Sequence, residues 1–175
     1  MSNIKIKIKG ETYEVREKAL NYYTNGNIYI GPVEAGQLVK QFVKKNFPQY
    51  VVKVKSASFS GGNSLDVYVS TKIGGSIPPH VFHQVNEFAN LWEYGKFNGM
   101  IDLYEYTNDG ITSDNGTPLK AGVKYVHVNN RPQFDTVEYV LNEVLNEGRT
   151  PEDATKYIST TVRAKAMMML DKLTK

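Results

Sequence analysis

The stretch Val51-Val52-Lys53-Val54-Lys55-Ser56-Ala57-Ser58-Phe59-Ser60-Gly61-Gly62-Asn63-Ser64-Leu65-Asp66-Val67-Tyr68-Val69 decides the fold. Val52 and Val54 alternate with Lys53 and Lys55, while Leu65, Val67 and Val69 alternate with Asp66 and Tyr68. A period of two is that of a strand with one buried face. Between the two runs lies Ser60-Gly61-Gly62-Asn63-Ser64, whose glycines accept positive φ without a Cβ penalty. The stretch therefore reads as a long β-hairpin. Strands joined this directly argue for an α+β chain rather than a doubly wound one.

The pattern extends upstream. Ile4, Ile6 and Ile8 alternate with Lys5, Lys7 and Lys9, and after Gly10 the alternation resumes at Tyr13 and Val15, which predicts a second hairpin. Asn25-Gly26 is a turn signal before the apolar run Ile28-Tyr29-Ile30. Pro32 suits the first position of a helix. Ala35, Leu38, Val39, Phe42 and Val43 then fall on one helical face, with Lys40, Lys44 and Lys45 on the other, until Pro48 ends the helix.

Downstream, residues 71–79 read as a loop, and Val81, Val85, Phe88, Ala89 and Trp92 mark a second amphipathic helix that ends near Gly95. Ile101, Leu103 and Tyr104 predict a strand, with residues 123–128 as its partner across an extended hairpin loop of residues 107–122. Val137, Val140, Leu141, Val144 and Leu145 suit a helix ended by Gly148. Thr150-Pro151-Glu152-Asp153 starts another with a cap, a first-turn proline and acids matched to the helix dipole. Ala154, Tyr157, Ile158, Thr161, Val162, Met168 and Met169 carry it to the C-terminus. The expected architecture is an α+β domain over residues 1–134, a two-layer antiparallel sheet with two covering helices, followed by a C-terminal helical hairpin over 135–175.

The chain has no cysteine, which excludes disulfides, thiolate metal sites and cysteine nucleophiles. No apolar run is long enough to span a bilayer, and the alternating N-terminus lacks the apolar stretch of a signal peptide, so a cytoplasmic protein is expected. The net charge of +3 is unevenly spread: residues 1–55 hold ten Lys/Arg against four Asp/Glu, and the rest is mildly acidic. A basic N-terminal third suits an acidic partner, although lysines that merely solvate a strand and a helix face account for it as well. Asn, Lys, Ile and Tyr are frequent, a bias that AT-rich coding produces without any function.

Chemistry-bearing constellations are weak. His80, His83 and Glu87 are spaced for one helix face, but the spacing misses His-Glu-x-x-His, and polar side chains that simply face solvent from a helix explain the trio more cheaply. Residues 60–64 lack the following helix of a phosphate-binding loop, so a hairpin turn is the simpler reading. Asp102 and Glu105 fall on opposite sides of a strand, and no Gly-x-Ser-x-Gly is present. No catalytic residue, metal or cofactor is expected. The twelve tyrosines offer large, stiff contact surfaces with polar tips, suited to interfaces or to stacking on bases.

The segment Ser56-Ala57-Ser58-Phe59-Ser60-Gly61-Gly62-Asn63-Ser64-Leu65-Asp66-Val67 resembles the large polyvalent protein-associated domains, specifically the twenty-ninth of that series. The helix from Val39 to Pro48, ending in Phe-Pro, fits the same pattern. So do Phe97-Asn98-Gly99-Met100-Ile101-Asp102-Leu103-Tyr104-Glu105-Tyr106 and Tyr125-Val126-His127-Val128-Asn129. The resemblance spans roughly Gly36 to Pro132. It implies a protein of a phage, plasmid or conjugative element, acting in a bacterial host beside nucleic acid or the host's defences. It supplies no catalytic residues.

The leading expectation is a non-catalytic accessory protein that binds and inhibits a host defence protein or nucleoprotein complex, as anti-CRISPR-like inhibitors do. Its contact residues are expected among Tyr29, Tyr50, Tyr68, Tyr104 and Tyr106. A homodimer through the C-terminal helices would cover their apolar faces. The alternative is a sequence-tolerant nucleic-acid-binding module for element transfer or replication. It would use Lys5, Lys7, Lys9, Lys40, Lys44, Lys45, Lys53 and Lys55 as a basic stripe, with Tyr13, Tyr29 or Tyr50 stacking on bases.

Overall fold

The computed structural model describes residues 3–16, 28–98, 100, 103–106, 111–112, 116 and 118–175, without the side chains of 96–98, 103–106 and 111–112. The decisive hairpin forms as read. Strands β4 (Val51–Phe59) and β5 (Gly62–Ser70) pair antiparallel from Val51 opposite Ser70 to Phe59 opposite Gly62. They turn through Ser60 and Gly61, the latter at φ +92. Leu65, Val67 and Val69 are buried on one face.

That face carries two helices. Helix α1 (Pro32–Asn46) starts with proline in its first turn and buries Ala35, Gly36, Leu38, Val39 and Val43. Gly36 permits a close approach to the sheet, because a Cβ there would sit 3.1 Å from Val54 Cγ2 and 3.2 Å from Leu65 Cδ1. Helix α2 (Pro79–Asn90) buries Val81, Val85, Phe88 and Ala89, and Trp92 follows just beyond its end. Phe42 stacks on Phe88 at 4.3 Å, locking the helices together.

The N-terminal hairpin, β1 (Asn3–Ile8) with β2 (Glu11–Arg16), adds Ile6, Ile8, Tyr13 and Val15 to the same core. Gln41 of α1 caps the edge of β2 as a peptide would: Glu14 N–H donates to Gln41 Oε1 at 2.9 Å, and Gln41 Nε2 donates to the Glu14 carbonyl at 2.7 Å. Strand β3 (Ile28–Ile30) completes the N-terminal set.

The chain is α+β, but its sheets are small and partly parallel. Strand β10 (Tyr125–Asn129) does not pair with the strand after Gly99 as expected. It runs parallel to β5, from Tyr125 opposite Ser64 to Asn129 opposite Tyr68. The strand expected as its partner, β7 (Leu103–Tyr106), pairs instead with β6 (Gly95–Asn98). Parallel pairing requires a crossover of about a dozen residues or more, and the segment containing α2 supplies it. Within the stretch expected as a loop, β8 (Ile111–Thr112) and β9 (Pro118–Ala121) form, and β9 lies parallel to β3.

The C-terminal helices also differ in detail. Helix α3 (Val137–Leu141) passes into a π-helical turn at Asn142–Asn146. The single helix expected from Pro151 onward is broken into α4 (Pro151–Ala154) and α5 (Thr160–Leu173). Its break follows from Thr155, whose hydroxyl donates back to the Pro151 carbonyl at 2.7 Å. Such a bond competes with helix continuation. Val140, Leu141, Ala154, Ala166 and Leu170 form a second, smaller core. No helix among the described residues is long and apolar enough to cross a membrane.

Candidate nucleic-acid interface

Helices α1 and α2 cover the Val54, Leu65 and Val67 side of the three-stranded sheet. Its opposite face is composed of the alternate positions, in rows set by register: Lys53, Tyr68 and Asn129; then Lys55, Asp66 and His127; then Ala57, Ser64 and Tyr125. Phe59 closes the face at the hairpin end. Its ring is 50% exposed and lies nearly parallel to that of Tyr125, with centroids 6.3 Å apart and planes at 13°. Two such rings on an open sheet give a flat apolar step on which bases can stack.

Local chemistry explains why the step is firm. Gly62 leaves room for the Lys124 stem to cross, since a Cβ there would meet Lys124 Cδ at 2.6 Å. Lys124 Nζ donates to the Gly61 carbonyl at 2.7 Å and lies 5.3 Å from the Tyr125 ring centroid. Asn63 accepts from Lys124 N–H at 2.7 Å and donates to the Gly122 carbonyl at 3.0 Å, so the Ser-Gly-Gly-Asn turn anchors the segment leading into β10. Residues 60–64 are thus occupied as turn and anchor.

The other end of the face is partly roofed. Glu138 of α3 approaches Lys53 at 4.0 Å. Tyr68 there keeps its proton to higher pH than usual, through burial and then Asp66, against the opposing pull of Arg131. Tyr68, Arg131, Phe134, Tyr139 and Arg149 line a cleft of about 830 Å³ between the sheet end and the π-helical turn.

The eight lysines do not converge on one stripe. Lys5 and Lys7 project from the outer face of β1, and Lys9 sits in the turn. Lys40 and Lys44 are exposed on α1, and Lys45 reaches across to the Thr12 carbonyl and the Tyr13 ring. Lys53 and Lys55 lie on the far side of the sheet from α1, because odd positions of β4 face away from Val54. Among the described residues, only the third group shares a surface with exposed aromatics.

Three tyrosines expected to stack on bases are engaged within the chain. Tyr13 is 2% exposed, packs 5.3 Å from Phe88, and donates to Glu11 at 2.8 Å; burial and then Glu11 push its ionisation well above the usual range. Tyr29 donates to the Gly122 carbonyl at 2.9 Å, and burial raises its pKa, with Tyr94 adding to the shift. Tyr50 is half-buried against the main core. Tyr104 and Tyr106 lie on β7, where only the backbone belongs to the described residues, and Tyr22 and Tyr23 lie outside them. His83 and Glu87 are a 3.5 Å exposed pair, and among the described residues no His/Cys/Asp/Glu group is placed to hold a metal ion.

Sequence reading missed Phe59, Tyr125 and His127 as surface partners of Lys53 and Lys55. The missing information was the parallel register of β10, which alone brings residues 125–129 beside 64–68.

No curated protein and no solved structure matches the chain. Large polyvalent protein associated domain 29 matches residues 30–139, which takes in α1, the decisive hairpin, α2 and the sheet strand β10. With more than half of its length so matched, the chain belongs to this family, one associated with phage or mobile-element proteins.

Proposed function

We propose that this is a non-catalytic accessory protein of a phage or mobile element, and that its open sheet face holds single-stranded nucleic acid without strong sequence preference. One observation carries the reading: the near-parallel, exposed Phe59–Tyr125 pair shares a face with Lys53, Lys55 and His127. Aromatic rings accept any base, and the lysines meet the backbone between them. Such binding is tested by anisotropy of a labelled oligonucleotide. Two or three phosphate contacts give a log–log salt slope of roughly −1.4 to −2 on a single strand. Replacing Phe59 and Tyr125 together by alanine weakens binding by about tenfold or more, because each stacked base is worth about 1–3 kcal/mol. Absence of binding at low salt overturns the proposal. So does binding that survives this double substitution but is lost on Lys5→Glu with Lys7→Glu, since the N-terminal hairpin is then the site.

A second reading is favoured by a different surface. Helix α5 exposes Met167, Met168, Met169 and Leu173, and Tyr157 is 78% exposed beside it, all beyond the family match. Methionine-rich apolar surface adapts to protein partners. On this reading the protein binds and inhibits a host defence component, in the manner of an anti-CRISPR. Expression in a host with an active defence system then restores phage plaquing, and Met168→Glu abolishes the protection and the retention of the purified defence complex. Unchanged plaquing with the wild-type protein counts against it.

A further inference from the structure

The cleft at the end of the sheet face has its own chemistry. Its volume of about 830 Å³ lies in the range of small-molecule sites. Arg131 is exposed on its rim and has no hydrogen-bond or ion-pair partner among the described residues. Phe134 is 55% exposed and is braced edge-on by Tyr139, with centroids 5.1 Å apart and planes at 69°, which leaves a ring face open. On the opposite wall Arg149 is held by Glu143 at 2.7 Å, while Glu147 is exposed.

The walls are held in place before any ligand arrives. Asn130 bonds Ile77 twice, accepting from its N–H at 2.7 Å and donating to its carbonyl at 3.1 Å. Asp135, next to Phe134, adopts φ +57 and accepts from Ser159 N–H at 2.8 Å. A non-glycine residue in that region costs energy and persists only where its surroundings impose it. The π-helical turn contributes directly. Glu147 N–H bonds the Asn142 carbonyl at 3.0 Å, five residues back. This wider turn brings Asn142 and Glu147 nearer to one face, where an α-helix would swing them apart. Turns of this kind recur at functional sites.

We infer that this cleft takes one nucleotide, its phosphate against Arg131, its base on the open face of Phe134, and the exocyclic amino group toward Glu147. An anion, a flat ring and a donor edge are the three features the lining asks for, and a nucleoside monophosphate has all three. Tyr68 belongs to both the cleft and the sheet face, so a strand lying on Phe59 and Tyr125 would place its terminal nucleotide here. That placement rests on the platform reading, whereas capture of a free nucleotide does not.

Titration of the full-length protein with AMP, adenosine or inorganic phosphate, followed by amide chemical shifts, tests it. AMP is expected to give saturable shifts over residues 131–147 at concentrations up to about 10 mM, the scale of weak single-nucleotide binding. Arg131→Ala and Phe134→Ala each weaken binding about tenfold, as the loss of one charged hydrogen bond or one stacked ring implies. Both side chains are exposed, so the fold is expected to survive either change. Adenosine binds less tightly than AMP, and Phe59→Ala with Tyr125→Ala leaves the AMP titration unchanged. No saturable shift overturns the inference. So does phosphate acting as well as AMP, which leaves an anion site alone, or adenosine matching AMP. A wild-type protein that binds AMP but no single strand at low salt overturns the platform reading and spares the cleft.

Discussion

Gly74→Ala is expected to loosen the C-terminal helices from the sheet and to lower stability by about 2–5 kcal/mol. The residue has φ +82, and a Cβ there would lie 2.1 Å from the Glu138 carbonyl oxygen, 2.8 Å from Asn142 Cβ and 2.9 Å from Asn142 N. The conformational term is about 1–2 kcal/mol for an L-residue in that region. Overpacking against backbone adds about 1–3 kcal/mol, because the Glu138 carbonyl cannot rotate aside as a side chain would. For a chain of this size about 2–4 °C of melting temperature accompanies each kcal/mol. Hydrogen exchange supplies the local reading: amides of Val140 and Leu141 lose protection while those of Val67 and Val69 keep theirs. Gly148→Ala is the control, since it also has positive φ but nothing within 4 Å of the added atom. Equal melting of the two variants would show that α3 does not press on the loop at residues 71–76.

Trp92→Ala is expected to cost about 3–5 kcal/mol, the usual range for emptying a buried indole site. Trp92 is 1% exposed, meets Phe88 edge-on at 6.2 Å, and its carbonyl accepts from Val123 N–H at 3.0 Å. Trp92→Phe leaves a smaller void than alanine does and is expected to stay within about 1.5 kcal/mol of the parent. The reason is specific. Among the described residues the buried indole Nε1 has no hydrogen-bond partner, and removing an unsatisfied donor recovers about 1–3 kcal/mol that offsets the lost volume. Urea midpoints of the two variants decide the matter; a Phe variant as unstable as the Ala variant would mean that the N–H is satisfied.

Local periodicity carried the sequence reading as far as elements and faces. The alternation at Val52, Val54, Leu65, Val67 and Val69 specified the hairpin, and the spacing from Ala35 to Val43 specified α1, because a one-step slip in either would turn apolar side chains to solvent. Val126 and Val128 signalled a strand equally well, but an alternating strand does not name its neighbour. Its partner β5 is distant in sequence, and the parallel register left no turn residue to read. The candidate interface was lost with it, since Tyr125 and His127 could not be set beside Lys53 and Lys55. Tyrosine abundance points to side chains that the fold uses internally, at Tyr13 and Tyr29, whereas Phe59 carries no signal of its exposure within the hairpin motif. The break at Thr155 escaped for a related reason: β-branched and hydroxyl residues from Thr155 to Val162 are tolerated in a helix one at a time, and only the Thr155 back-bond and the Asp135–Ser159 contact tip the balance.

The parallel seam between β5 and β10 also sets an order of events during synthesis. The hairpin β4–β5 and α1 are complete once residue 70 has left the ribosome, yet β5 then has one edge bare. Its closing strand begins only at Tyr125, so the bare edge waits through α2 and the small strands that follow. Non-local closure of this kind is slow compared with hairpin formation. A nascent chain halted in that interval presents the unpaired backbone donors and acceptors along one edge of β5, the arrangement that templates aggregation. For this protein, then, the vulnerable moment in a host cell comes before the chain is finished, and a chaperone that shields one strand edge would meet the need.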